Sequence, residues 1–216
     1  MQDIILVGSG GCMREIVWQM QEQNKSAENW NILGYVDRMP PEEHSSVTVG
    51  NETLEYIGND DYLLARTELT NVAGCVGEPK LRKKIVEKLK NNKNIIFPNI
   101  ILGDTRICED VQMGKGCIIS MDARISTNVT LGSFVFMNTG SKVCHDGKLG
   151  NYVTLSPDVT LAGNVVVGDN TEIGMGANVI QGITIGTNTV IGAGSVVVRD
   201  VEDHCKAAGV PAKAFR

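Results

Sequence analysis

From Ile101 to Val197 an aliphatic residue or methionine stands at every sixth position without a slip: Ile101, Ile107, Met113, Ile119, and so on through Ile185, Ile191 and Val197. Neither a 3.6-residue helix nor a two-residue strand alternation needs a strict six. A chain that turns a corner every six residues does. Two residues before each of these positions, from Val111 to Ser195, stands another small or branched residue such as Cys117, Ala123, Val135 or Val159. That alternation marks short, half-buried strands. Between them come Gly, Asn, Asp, Ser and Thr, as in Gly168-Asp169-Asn170 and Gly186-Thr187-Asn188, which suit tight corners. Gly114, Gly132, Gly150, Gly168 and Gly186 stand 18 apart, so three sixes make one coil. The pattern predicts a triangular solenoid with one inward apolar side chain per face, each coil burying its core against its neighbours.

The first part of the chain carries a different pattern. An apolar run at residues 3–7 leads into Gly8-Ser9-Gly10-Gly11, after which Ile16, Val17 and Met20 space like one face of a helix over residues 12–23. A second strand, Ile32-Leu33-Gly34-Tyr35-Val36, ends at Asp37 and Arg38. A third, at residues 71–76, ends at Gly77-Glu78, and Pro79 opens a helix whose buried face is read as Leu81, Ile85, Val86 and Leu89. Residues 39–58, with Pro40-Pro41, read as a loop containing a short extended piece. These elements predict a small α/β unit with a parallel sheet over residues 1–95 and an all-β solenoid over 96–216.

Composition narrows the function. The 216 residues carry a net charge of −5 and no basic stripe, which excludes nucleic acid as a partner. No apolar run approaches the length of a membrane span and the first residues lack a signal pattern, so the chain reads as a soluble, cytoplasmic protein with no membrane insertion. The six cysteines form no CxxC pair and read as reduced thiols, and no metal site is expected.

Two segments carry candidate chemistry. A glycine-rich turn between strand and helix points backbone N–H groups and a helix N-terminus at an anion, usually a phosphate. The dinucleotide fingerprint asks for a third glycine where this chain has Met13, so a full NAD site is not expected. Asp37, at a strand's carboxyl end beside the first turn, is placed to bond a base or ribose. Arg82, one turn into the helix after Gly77-Glu78, is placed to reach a phosphate, although the Lys80, Arg82, Lys83, Lys84 cluster also reads as a solvated face. In the solenoid, His145 lies two residues after the inward Val143, at a corner. His44 and His204 fall in polar segments and read as surface residues.

The chain resembles the bacterial sugar O- and N-acyltransferases of the hexapeptide-repeat superfamily. Their opening motif is matched by Ile4-Ile5-Leu6-Val7-Gly8-Ser9-Gly10-Gly11 with Arg14-Glu15, and their second strand by Gly34-Tyr35-Val36-Asp37. Cys144-His145-Asp146 and Leu161-Ala162-Gly163-Asn164 match the family's catalytic stretches, and Gly209-Val210-Pro211-Ala212-Lys213 its closing motif. The resemblance implies a Rossmann-like N-terminal domain followed by a left-handed parallel β-helix, a homotrimer, and acetyl-CoA as co-substrate without a metal. It makes His145 the general base, Asp146 the residue that orients it, and Gly163 the backbone oxyanion donor. Gly163, Met175 and Ala193 would lie along CoA, and Lys206 and Lys213 near its phosphates. The first domain would hold a nucleotide-activated amino sugar through Gly8, Ser9, Gly10, Gly11, Asp37, Arg38, Gly77, Glu78 and Arg82. The expected reaction is acetyl transfer to the amine of a nucleotide-linked 4-amino-4,6-dideoxy sugar in bacterial glycan biosynthesis.

The alternative within the family is O-acetylation of sialic acid or a related sugar. Two departures bear on the choice: some relatives carry histidines where this chain has Cys12 and Thr154. A serine acetyltransferase relative would carry a helical front domain, which the pattern lacks. A β-helical zinc carbonic anhydrase needs three histidines per site, and the repeat offers only His145. A non-catalytic scaffold of the same fold is opposed by the intact His145-Asp146 and Leu161-Ala162-Gly163-Asn164 pairings.

Overall fold

A computed structural model describes residues 1–27, 29–38 and 46–215. The chain falls into two compact units, one formed by Met1–Gly77 and Leu81–Pro98, the other by Glu78–Lys80 and Asn99–Arg216.

The first unit is a mixed α/β domain. In chain order it contains β1 (Gln2–Val7), α1 (Gly11–Asn24), β2 (Trp30–Val36), β3 (Ser46–Val49), β4 (Glu52–Gly58), α2 (Asp60–Leu64), β5 (Thr70–Gly74), α3 (Pro79–Leu89) and β6 (Ile95–Ile96). The sheet order is β3-β4-β2-β1-β5-β6, parallel throughout except for the antiparallel β3–β4 pair. The chain leaves β1 for β2 on one side and returns to β5 on the other. The order therefore reverses at β1, and a ligand crevice is expected at the strand ends there. Ile4, Ile5, Leu6 and Val7 are buried, as suits a strand covered on both faces. In α1, Met13, Ile16, Val17 and Met20 fall on one buried stripe. Met13 fills, with a whole side chain, the space that a third fingerprint glycine would leave open.

Two expectations change here. Much of residues 39–58 is a β-hairpin, β3 and β4, whose second strand extends the parallel sheet beside β2. Its alternation was obscured by polar residues on the exposed sides, because an edge hairpin buries little: only Val49 and Leu54 are fully covered. His44, Pro40 and Pro41 lie outside the described residues. The buried face of α3 is also different. Arg82, Val86 and Leu89 are buried, whereas Leu81 is exposed and Ile85 half-buried.

The second unit is a parallel β-helix. Seventeen two-residue strands, β7 (Ile100–Ile101) through β23 (Val196–Val197), recur every six residues and stack into three parallel sheets. Strands 18 residues apart pair, for example Ile125↔Val143 and Val143↔Leu161. From Ile119 to Val197 every sixth residue is buried, and so are the residues two before, from Cys117 to Ser195. The first coil departs from the pattern: Ile101 is exposed and Ile107 and Met113 are only half-buried. Their strands pair with a coil on one side alone, so a solenoid end leaves apolar residues partly uncovered. The final strands, β24 (Lys206–Gly209) and β25 (Ala212–Phe215), form an antiparallel hairpin at the end of one sheet.

Each corner uses a residue in the left-handed region, in strict phase from Gly116 to Gly194. Most are Gly, Asn or Asp, for which this conformation costs least. Phe134 and Tyr152 are the exceptions, at φ 59° and 58°. They stand one coil apart with stacked rings, centroids 5.1 Å apart and planes 8° from parallel, and both are buried. The stack, worth about 0.5–1.5 kcal/mol, offsets part of the cost of the two unfavourable backbone conformations.

Candidate functional site

At the carboxyl ends of β1 and β5 a cleft of about 310 Å³ opens where the sheet order reverses. It is lined by Val7, Gly8, Ser9, Gly10, Gly11 and Cys12, by Asp37, Arg38 and Asp60, and by Cys75, Val76, Gly77, Leu81 and Ile85. Gly8 has φ +112°, and a Cβ there would stand 3.2 Å from the Cys75 carbonyl oxygen, so only glycine suits the turn. Gly10 caps α1 without a side chain, and Cβ atoms built at Gly10 and Gly11 meet nothing within 4 Å. The helix N-terminus therefore presents backbone N–H groups to open space. Asp37 accepts from the Ser9 hydroxyl at 2.6 Å and from the Arg38 N–H at 2.6 Å, which fixes its carboxylate at the cleft edge. Burial pushes the Cys12 thiol up to about 11, with the Glu15 charge adding to the rise and Arg82 opposing it, so Cys12 is a neutral lining group near pH 7.

Of the residues expected to hold substrate here, the structure brings together Gly8, Ser9, Gly10, Gly11, Asp37, Arg38 and Gly77. It does not bring Glu78 or Arg82 into the lining. Glu78 is exposed beyond the turn. Arg82 is 2% exposed, and its guanidinium donates to the carbonyls of Val76 at 2.6 Å and Gly77 at 2.9 Å. It is neither a solvated side chain nor a free phosphate ligand. A buried cation must be satisfied by acceptors, and two carbonyls at the end of β5 supply them. Asp60, Leu81 and Ile85 were missed. Asp60 opens α2 behind an Asn59 cap and is held by Lys88 at 2.8 Å; the Asn-Asp-Asp run was the available signal.

The second cluster lies on one edge of the β-helix. The pairing of β14 (Lys142–Val143) with β17 (Thr160–Leu161) places His145 and Gly163 at equivalent corner positions of successive coils. A Cβ built on Gly163 would collide with Cε1 and Nε2 of the His145 ring and stand 2.9 Å from its Nδ1. The imidazole thus packs directly against a glycine, in space that any Cβ would fill. Nδ1 is 2.7 Å from Asp146 Oδ2, while the ring remains about half exposed. Asp146 Oδ1 accepts from Asn128 Nδ2 at 2.6 Å. Hydrogen bonds from His145 and Asn128 hold the Asp146 carboxyl below the usual carboxylate range, so it is ionised at neutral pH. An ionised acceptor at Nδ1 favours the tautomer with its proton there, leaving Nε2 able to accept one. The Gly163 N–H makes no hydrogen bond among the described residues, while its carbonyl accepts from Gly182 N–H at 3.0 Å. Cys144 is half-buried beside the pair.

Met175 and Ala193 occupy a different edge of the prism. They follow β19 (Glu172–Ile173) and β22 (Val190–Ile191), which belong to another sheet than β14 and β17. Met175 stands 12 residues after Gly163, two faces rather than one coil, so a single chain does not join them to His145. Both are exposed, with Met175 accepting from Gly194 N–H at 2.8 Å. Lys206 and Lys213 are exposed on the terminal hairpin, where the pairs Lys206↔Phe215 and Ala208↔Lys213 put them on one face. Among the described residues no group of three or more potential metal ligands occurs, and no helix is long and apolar enough to cross a membrane.

Comparison with known proteins identifies the family. Residues 3–89 match the PglD N-terminal domain, and residues 164–199 match the bacterial transferase hexapeptide of six repeats. No curated protein matches at a significant level. Among solved structures, a histidine-to-alanine mutant of GDP-perosamine N-acetyltransferase from Caulobacter crescentus, in complex with CoA and GDP-perosamine, is 30% identical. The match covers 100% of this chain and 98% of that one, with a TM-score of 0.88. The acetyltransferase domain of PglB from Neisseria gonorrhoeae, in complex with acetyl coenzyme A, is 25% identical over 99% of this chain and 98% of that one, with a TM-score of 0.85. WeeI from Acinetobacter baumannii shares the fold, at 22% identity over 99% and 100% of the two chains and a TM-score of 0.81. With a glycine-lined crevice on its α/β domain and a histidine–aspartate pair on its β-helix, the chain belongs to the acetyl-CoA-dependent sugar acyltransferases of the hexapeptide-repeat superfamily.

Proposed function

We propose that this protein transfers the acetyl group of acetyl-CoA to the amine of a nucleotide-linked 4-amino-4,6-dideoxy sugar, in the cytoplasm, with His145 as general base. The observation that carries the reading is the Asp146 carboxylate 2.7 Å from Nδ1 of a histidine whose ring packs against Gly163, with Nε2 making no hydrogen bond among the described residues. The crevice of the first domain supports a nucleotide-linked acceptor. Its helix N-terminus suits a diphosphate, Asp37 suits the hydroxyls or N–H groups of a nucleoside, and Leu81 with Ile85 suits an apolar ring face.

The chemistry is direct transfer. The sugar amine attacks the thioester carbonyl carbon, forming the C–N bond as its proton passes to Nε2 of His145. The oxyanion of the tetrahedral intermediate accepts from a backbone N–H, for which Gly163 is the candidate. The C–S bond then breaks, and the departing thiolate takes a proton from the imidazolium, whose charge Asp146 balances meanwhile. No covalent enzyme intermediate is required. Met175, Ala193, Lys206 and Lys213 are proposed to contact CoA. Since one chain keeps Met175 and Ala193 on another edge than His145, this part of the reading calls for a neighbouring copy, in keeping with a homotrimer.

The test is thiol release from acetyl-CoA against UDP-, dTDP- and GDP-linked 4-amino sugars, with free sialic acid alongside. Turnover on one nucleotide sugar is the expected result. Turnover only on the free sugar would overturn it in favour of a hydroxyl acceptor.

A further inference from the structure

The edge that carries His145 continues into the preceding coils as an unbroken chain of hydrogen bonds. Strand β11 (Arg124–Ile125) pairs with β8 (Arg106–Ile107) and with β14, so Asp110, Asn128 and Asp146 occupy one corner position in three successive coils. Asp110 Oδ2 accepts from the Thr127 hydroxyl at 2.6 Å and from the Asn128 backbone N–H at 3.0 Å. The Asn128 amide then donates to Asp146 Oδ1 at 2.6 Å, and Asp146 Oδ2 meets His145 Nδ1 at 2.7 Å. A carboxylate only accepts, so the Asn128 side chain must present its NH₂ group. Each Asp146 oxygen thus has its own donor.

We infer that Asn128 is a positioning residue for the general base: it anchors one oxygen of Asp146 so that the other faces the imidazole. This rests on the reading of His145 given above. Asp146 is itself about 40% exposed, at 39% of its side chain, and an exposed aspartate with a single weak partner samples several rotamers. The second anchor removes that freedom. Proton transfer needs the ring in place, and misplacement by about 1 Å costs roughly a hundredfold.

A plainer reason for asparagine exists here, since Asn128 has φ 55° and asparagine tolerates the left-handed region. Glycine separates the two roles, because it keeps the backbone and deletes the amide. Aspartate is the second variant: it keeps the shape but replaces the donor with an acceptor beside Asp146. Among the described residues the titratable groups that interact along this edge are Cys108, Asp110, Asp146 and His145, with the half-buried Cys144 next to His145 in the chain.

The experiment measures kcat, both KM values and the pH profile of kcat/KM for Asn128→Gly, Asn128→Asp and His145→Ala in the full-length protein. For Asn128→Gly, kcat should fall about ten- to a hundredfold, the scale for losing a group that orients another. Both KM values should stay within roughly twofold, because only transition-state interactions are lost. The acidic limb should move to lower pH in Asn128→Gly, where the imidazolium loses its held counter-ion, and to higher pH in Asn128→Asp, where a second anion stands nearby. The Asn128→Gly profile is the discriminating one, since a merely structural asparagine would leave it unmoved. Wild-type kcat and an unmoved profile in Asn128→Gly, with His145→Ala inactive, would overturn the positioning role alone. Near-normal activity in His145→Ala would instead remove the general-base reading on which it rests.

Discussion

Replacing Gly163 by alanine separates two roles that the His145 edge assigns to one residue. Alanine keeps the backbone N–H, so any oxyanion donation through that group survives. What changes is the space over which the imidazole lies. The added Cβ would collide with Cε1 and Nε2 and stand 2.9 Å from Nδ1. Carbon in ordinary contact needs about 3.5–4.0 Å, so the ring must retreat by roughly 1 Å or swing into solvent. The Nδ1–Asp146 bond is 2.7 Å long, and the same movement carries it past hydrogen-bond range. A general base displaced in this way loses about a hundredfold in kcat, or about 2.7 kcal/mol of barrier. Stability should hardly change, because the yielding atoms belong to a half-exposed side chain and Gly163 is not in the left-handed region. Thiol release under saturating acetyl-CoA measures kcat, and thermal melting checks the fold. A Gly163→Ala enzyme that keeps kcat within about threefold, with an unchanged melting temperature, would refute the argument that the glycine exists to seat the histidine.

Charge reversal at Asp37, Asp37→Lys, should raise KM for the acceptor tenfold or more, on the order of one lost charged hydrogen bond, and leave KM for acetyl-CoA alone; an equal rise in both would mean the crevice is not the acceptor site. Cys12, with its thiol pushed up to about 11 by burial, should resist iodoacetamide at pH 8 and react readily only as the pH approaches that value, as peptide mass spectrometry can follow; rapid labelling near neutrality would contradict the burial. Asp110 titrates below the usual carboxylate range because of bonds from the Thr127 hydroxyl and the Asn128 N–H. Its folded pKa lies below its unfolded one, so its contribution is present above about pH 4 and lost as the pH falls. Asp110→Asn should therefore lower the melting temperature at pH 7 and flatten its acid decline, and a decline identical to wild type would count against the bond. A double-mutant cycle on Phe134 and Tyr152, read by denaturant melts, should return a coupling of about 0.5–1.5 kcal/mol; a coupling near zero would mean the stacked rings only fill space.

The sixfold repeat was legible because the solenoid is nearly one-dimensional. Each inward residue needs only its neighbours one coil away, so burial at Ile119 or Leu155 is written into spacing alone. The strand, glycine turn and α1 of the first domain were legible for a related reason: Gly8 answers a local backbone demand that no other residue meets. The β3–β4 hairpin was not, since an edge strand with polar outward residues leaves little periodicity. His145, Asp146 and Gly163 stood out through motif resemblance rather than spacing, because a corner histidine has the same local pattern whether or not it does chemistry.

Tertiary structure decided the rest. The basic cluster of α3 reads as a solvated face, but only the fold shows the Arg82 guanidinium turned inward onto Val76 and Gly77, with Leu81 turned toward the crevice. Only stacked coils show that Asn128 bonds the aspartate that bonds the histidine. Within the inner coils of the solenoid the sequence alone determined where the chain bends and which side chains face inward, since both follow from forces acting within a few residues or one coil. Which polar group meets which partner depended on distances set by sheet order and coil register, and those exist only once the whole chain has folded.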